Sequence, residues 1–185
     1  MKEKLMGSIN YILCIIMGIA TIVFLCLPAI TYTTDIGLYN NGSLSYNSFQ
    51  MLTMDYLFFN STNVALLSGI FAIITTVVAA LLIFVGVMML LKKLGVYDWK
   101  FDNKVSDFNF ILDTVATIFT VLAFGVFLTA LFFKNANADL THFFVKLTPV
   151  AYCLFIIPAV LCLAMWIIDA IAESKAKKNV EAPKA

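Results

Sequence analysis

Four long apolar stretches separated by short polar segments dominate the pattern of the chain, running near residues 9–30, 64–91, 110–133 and 148–171. A helix rises about 1.5 Å per residue, so about 20 apolar residues cross a hydrocarbon layer about 30 Å thick. Each stretch meets that length. The pattern predicts an all-α membrane protein, a four-helix transmembrane bundle that takes up residues 1–185 as one domain. Its outer loops are 31–63 and 134–147, its inner loop is 92–109, and 172–185 is a tail. The first stretch is longer than the apolar part of a signal peptide, and no small-x-small cleavage site follows Pro28, so it is expected to remain as a helix. Start signals agree with these limits: Asn63 can cap the second span, Ser106 or Asp107 the third, and Pro149 after Thr148 suits the first turn of the fourth.

The first outer loop departs from this pattern. ITYTTDIGL and SLSYNSFQML are rich in β-branched and aromatic residues and flank Tyr39-Asn40-Asn41-Gly42, whose Asn-Gly pair predicts a small extracellular β-hairpin. An isolated hairpin is marginal in water, so this one is expected to lie on the helix ends or on another protein. Met51, Leu52, Met54, Leu57, Phe58 and Phe59 follow it, with Phe143 and Phe144 in the second outer loop. That is more apolar surface than a solvated loop carries, and it suits either the bilayer surface or a protein partner.

Charge gives the orientation. All twelve basic residues are lysine, and ten of them lie before the first span, between the second and third, or after the fourth. Only Lys134 and Lys146 lie on the other side. Short loops rich in lysine stay in the cytoplasm, so both ends are expected inside a plasma membrane. Composition agrees: 62% hydrophobic and 12% charged residues with a mean hydropathy of +0.97 are membrane values. A net charge of +1 excludes a nucleic-acid partner, which would need a dense basic surface. Lysine without arginine, together with abundant Ile, Asn and Phe, is the usage of an AT-rich genome and points to a low-GC bacterium.

Four spans with both ends inside, a β-rich first outer loop and a short second one resemble the claudin-like tetraspan plan. The resemblance implies the bundle and its outer hairpin. The first loop has neither the Trp-Gly-Leu-Trp motif nor the cysteine pair of claudins, so no functional residue is carried over.

Helices in lipid pack through small residues and a few polar contacts. Rows four residues apart supply candidate seams: Ser68, Ala72, Thr76 and Ala80 in the second span, Asp113, Thr117, Gly125 and Thr129 in the third, and Cys14, Gly18 and Cys26 in the first. The same residues could instead line a polar path. Asp113 and Asp169 are the ionisable groups within spans, near the inner boundary, where an ion pair with interfacial lysine is the expected arrangement and a proton relay the alternative. Cys26 and Cys153 fall at similar shallow depth, so a disulfide between the first and fourth helices is geometrically feasible; small buried hydrophobes are their other role. The single histidine, His142, has too few ligating neighbours for a metal.

Phosphate loops, nucleophile elbows and zinc-protease motifs are missing from the sequence, so neither enzymatic activity nor a cofactor is expected. The expectation is a structural or accessory membrane subunit that contacts lipid and another membrane protein or its own copies. The competing class is a small oligomeric channel or transporter using the polar face of the third helix.

Overall fold

The computed structural model describes residues 2–34, 43–53, 62–96, 105–138 and 143–181. Four helices, α1 (Lys2–Cys26), α2 (Thr62–Leu94), α3 (Val105–Ala136) and α4 (Pro149–Glu181), are joined at one end by the strands β1 (Pro28–Thr34), β2 (Ser43–Asn47) and β3 (Phe143–Leu147). Within the helices, Ser8–Cys26, Asn63–Leu94, Ile111–Ala136 and Pro149–Lys175 are long and apolar enough to cross a membrane. Each helix packs against its chain neighbours, and α1 closes the ring on α4. The chain is therefore a polytopic membrane protein with an up-and-down four-helix bundle.

The first span ends four residues earlier than the apolar run at 9–30. Pro28 disfavours helical geometry at Leu27 and cannot donate a helical hydrogen bond, so Ala29 and Ile30 enter β1 instead. At the far end of α2, Gly95 at φ 74° closes a Schellman motif, with Gly95 N–H donating to Lys92 O at 3.1 Å and Val96 N–H to Leu91 O at 3.1 Å. Pro149 occupies the first turn of α4 as expected. The Thr148 hydroxyl does not cap that helix. It donates to the Pro28 and Ala29 carbonyls, clipping the start of α4 to β1.

The buried residues of α2 and α3 follow a 3–4 spacing: Ala65, Ser68, Ala72, Thr75, Ala79 and Leu82 in one, Leu112, Ala116, Phe119, Ala123, Val126 and Ala130 in the other. This averages 3.5 residues per turn, the period of helices that interlock at a small crossing angle. The four-residue row therefore drifts off the seam. Each step of four turns about 400°, and the surplus of about 40° accumulates. Ser68 and Ala72 are buried, Thr76 is half-buried, and Ala80 is exposed; Thr75 and Ala79 take the seam positions. In α3, Thr129 is buried and Thr117 and Gly125 are half-buried, while Val121 faces away.

Glycine sets the closest helix approach. A β-carbon at Gly18 would lie 2.6 Å from Ile83 Cγ1 and 3.0 Å from the Ala79 carbonyl, and one at Gly86 would lie 3.1 Å from the Tyr11 carbonyl. The α1–α2 contact thus depends on Gly18, as the sequence suggests, and equally on Gly86.

The sheet has the order β2-β1-β3, all antiparallel. The β1–β2 pairing is the expected hairpin; its turn, with Asn40, Asn41 and Gly42, lies outside the described residues. Strand β3 is an addition from the second loop, and it makes one sheet of both loops. Rows alternate in chemistry. Tyr46-Ile30-Leu147 and Leu44-Tyr32-Val145 are apolar, while Ser45-Thr31-Lys146 and Ser43-Thr33-Phe144 are mostly polar. Ile30, Val145 and Met51 are buried against Ala65, Ala130 and Phe133, so the apolar face lies on the helix ends. Tyr32 and Tyr46 stack at 5.7 Å, and burial, followed by a hydrogen bond with Tyr46, pushes the Tyr32 phenol up to about 12.

Candidate functional site

The end of the bundle away from the sheet holds a polar cluster. Asn10 lies just inside the first span, Asp113 just inside the third and Asp169 about two turns from the end of the fourth. The helix ring sets α4 against both α1 and α3, which brings the three together. Asn10 Nδ2 donates to Asp169 Oδ1 at 2.8 Å, and the carboxyl groups of Asp113 and Asp169 come within hydrogen-bonding reach of each other. An open cleft of about 370 Å³ adjoins the pair, lined by Asp113, Thr114, Thr117, Trp166, Asp169 and Glu173.

The sequence pairs each aspartate with an interfacial lysine; the structure sets the two carboxyl groups beside each other. Lys93 lies over the Tyr11 ring, 5.8 Å from its centroid. Each aspartate has the other as its charged neighbour, an arrangement that favours any group bringing positive charge or a proton between them. Four buried side-chain polar atoms among the described residues lack a hydrogen-bond partner: Ser48 Oγ, Ser68 Oγ, Asn10 Oδ1 and Asp169 Oδ2. Two of the four belong to the Asn10–Asp169 contact, so unmet acceptor capacity is concentrated there.

The third-helix threonines do not form a free polar row. Thr117 donates to Asp113 O at 2.7 Å, Thr120 to Ala116 O at 2.9 Å and Thr129 to Gly125 O at 3.0 Å, each back onto its own helix. Thr21, Thr75 and Thr76 do the same in α1 and α2. Above the acidic pair the core is closed by Met17, Ala79, Phe119 and Cys162.

Other sites read from the sequence separate. All four cysteines are free thiols, so Cys26 and Cys153 are not bridged. Leu25 is the residue of that turn that faces the core, and the next position, about 100° further round, turns Cys26 outward to an exposed place. Met51 is fully buried beneath the sheet and so forms no partner surface, and half-buried Leu52 lies over Gly69; the loop folds back on α2. Phe144 is half exposed on the polar face of the sheet. Met54, Leu57, Phe58, Phe59 and His142, and the side chain of Phe143, lie outside the described residues.

Sequence reasoning treats Asp113 and Asp169 as separate groups and passes over Asn10, Glu173 and the role of Trp166 as a wall. An asparagine at the start of an apolar span was the available signal for the first of these.

Replacing Asp113 with Asn should stabilise the bundle by about 1 kcal/mol at neutral pH, because the amide can donate to Asp169 where two carboxylates now face each other. Thermal unfolding of both forms in one detergent checks this; a lower midpoint for Asp113→Asn would show that the charge itself supports the fold.

No protein-family model, no curated protein and no solved structure matches the chain. What fold and site define is a class, a four-span membrane protein with a sheet cap at one end and an acidic cleft at the other.

Proposed function

We propose that this is a non-enzymatic structural or accessory membrane subunit that works by contact with another membrane protein or with copies of itself. The observation that carries this reading is the sheet cap. Strands from both loops form one sheet, whose apolar face rests on the helix ends and whose Ser, Thr and Lys-bearing face points away from the bundle. The Thr148 hydroxyl bonds fix it to the start of α4. A platform held this rigidly, with edge strands at β2 and β3, is suited to protein contact, since edges accept further strands and an exposed aromatic such as Phe144 serves as an anchor. The lysine distribution supports an arrangement with both chain ends in the cytoplasm and the cap outside.

The closed core and the inward-bonded threonines weigh against solute passage through one bundle. A channel or transporter would have to form between copies, along the Asp113 and Thr117 side of α3.

Affinity purification from native membranes in mild detergent, followed by mass spectrometry, tests the reading. A stoichiometric membrane-protein partner or a homo-oligomer is the expected result, and its recovery should fall roughly tenfold with Phe144→Glu while Asp113→Asn leaves it unchanged. Recovery of a monomer alone, or loss with Asp113→Asn and not with Phe144→Glu, would overturn it.

A further inference from the structure

We propose that the bundle core holds one copper(I) ion between α1 and α4, bound by the sulfur atoms of Cys14, Cys162 and Met165 with Met17 as the fourth. This goes beyond a role in assembly, and its test is independent of that reading.

The first and last helices carry the same Cys-x-x-Met pattern, Cys14-Ile15-Ile16-Met17 and Cys162-Leu163-Ala164-Met165. Residues three apart share a helix face, and here it is the core face: Cys14, Met17 and Met165 are fully buried and Cys162 is 7% exposed. The up-and-down topology runs α1 and α4 antiparallel, so the two patterns meet in opposite order. Cys14 Sγ donates to Met165 Sδ at 3.6 Å, which sets Met17, three residues on, across from Cys162, three residues back. All four belong to one buried cluster, and Cys162 is an ionisable neighbour of Cys14. Four sulfur atoms are thereby gathered within about one helical turn, about 5.4 Å of axis.

The class of ion follows from the donors. Two sulfur atoms each about 2.3 Å from a tetrahedral ion lie about 3.8 Å apart, so Cys14 and Met165 already stand close to ligand spacing. Thiolate with thioether is a soft set that selects copper(I). Zinc takes thiolate, imidazole and carboxylate, and among the described residues no group of three histidine, cysteine or acidic side chains is spaced to hold an ion. Net charge in an apolar core is costly, and one thiolate neutralises Cu⁺. On binding, one S–H bond breaks and one S–Cu bond forms, copper stays at +1, and the proton leaves to the carboxylates of Asp113 or Asp169, both ionisable neighbours of Cys14. The acidic cleft supplies the way in. Thr117 lines it beside Asp113 and Asp169, and Thr117 Oγ1 lies 3.8 Å from Cys162 Sγ. Because the Thr117 hydroxyl donates to Asp113 O, the Cys162 thiol is the donor to Thr117, which orients that sulfur.

The test uses the full chain with Cys26→Ser and Cys153→Ser, which leaves Cys14 and Cys162 as its thiols, in detergent without oxygen. Copper(I) is presented as its ferrozine complex, whose colour falls as the protein takes the ion, and X-ray absorption reads the donor atoms. One copper per chain in a shell of sulfur alone is expected. Cys14→Ser and Cys162→Ser should each weaken binding about 100-fold, and Met165→Leu, Met17→Leu and the positioning variant Thr117→Val each roughly tenfold. Excess zinc should displace no copper. Far-UV helicity and monodisperse elution establish that each variant is folded, and if a cysteine variant fails to fold, the volume-conserving Met165→Leu and the absorption spectrum still decide. Failure to take copper from ferrozine, a shell containing oxygen or nitrogen, displacement by zinc, or folded Cys14→Ser, Cys162→Ser or Met165→Leu chains that bind like the parent would overturn it.

Discussion

Gly18→Val and Gly86→Val should each destabilise the bundle by about 3 kcal/mol, the upper end of ordinary overpacking costs, and the double variant should not fold in mild detergent. At Gly18 a β-carbon meets Ile83 Cγ1 at 2.6 Å and the Ala79 carbonyl at 3.0 Å; at Gly86 it meets Ile15 Cγ1 at 2.9 Å and the Tyr11 carbonyl at 3.1 Å. Side chains can rotate away, but the carbonyls belong to helical backbone and cannot. Relief therefore requires α1 and α2 to move apart, which opens the contacts of Cys14, Met17 and Leu82 along the same seam. Gly125→Ala is the matched control, because its β-carbon would find only the Phe71 ring at 3.5 Å, an ordinary contact. Thermal stability of the three variants in one detergent decides the matter. If Gly18→Val is tolerated as well as Gly125→Ala, the close approach is not what holds this pair of helices.

Phe119→Ala is the second large effect. In a soluble protein burying a phenylalanine combines transfer from water with packing, and truncation costs about 3–5 kcal/mol. Within a membrane the first part largely cancels, since the ring of a separated helix would sit in lipid. The cavity remains. At about 24 cal/mol per Å³, a void of roughly 100 Å³ costs about 2.4 kcal/mol. Phe119 is fully buried, whereas its neighbour Ile118 is 52% exposed on the lipid-facing side. Ile118→Ala should therefore change stability by less than about 0.5 kcal/mol. The ratio between the two, read from unfolding in mixed micelles, checks that van der Waals packing, and not burial from water, holds the bundle together.

The acidic cleft and the packing seam show where sequence reading stops. Asn10 and Asp169 are 159 positions apart, and nothing local marks them as partners. Each looks like an isolated polar residue near a span boundary, for which a snorkelling lysine is the natural neighbour. Only closure of α4 onto α1 and α3 brings the two carboxyls and the amide to one level. The small-residue rows fail for a different reason: Ser68 and Ala72 lie on the seam, but a strict four-residue repeat walks round the helix, and Thr75 and Ala79 replace Thr76 and Ala80 because helices that stay in contact over many turns follow a 3.5-residue period.

Hydropathy and length determined the four spans, because crossing a lipid layer imposes a minimum run of apolar residues that few other constraints mimic. Local chemistry determined the β-rich first loop and the start of α4 at Pro149, whereas hydropathy carried the first span through Pro28 to residue 30, past the end of α1 at Cys26. Tertiary structure alone decided that Phe143–Leu147 joins β1 as a third strand, that Met51 is core, that Gly86 matters as much as Gly18, and that Asp113 faces Asp169. Strand partners, helix faces and carboxylate neighbours are relations between distant segments, and their energies depend on distances that exist only once the chain has closed on itself.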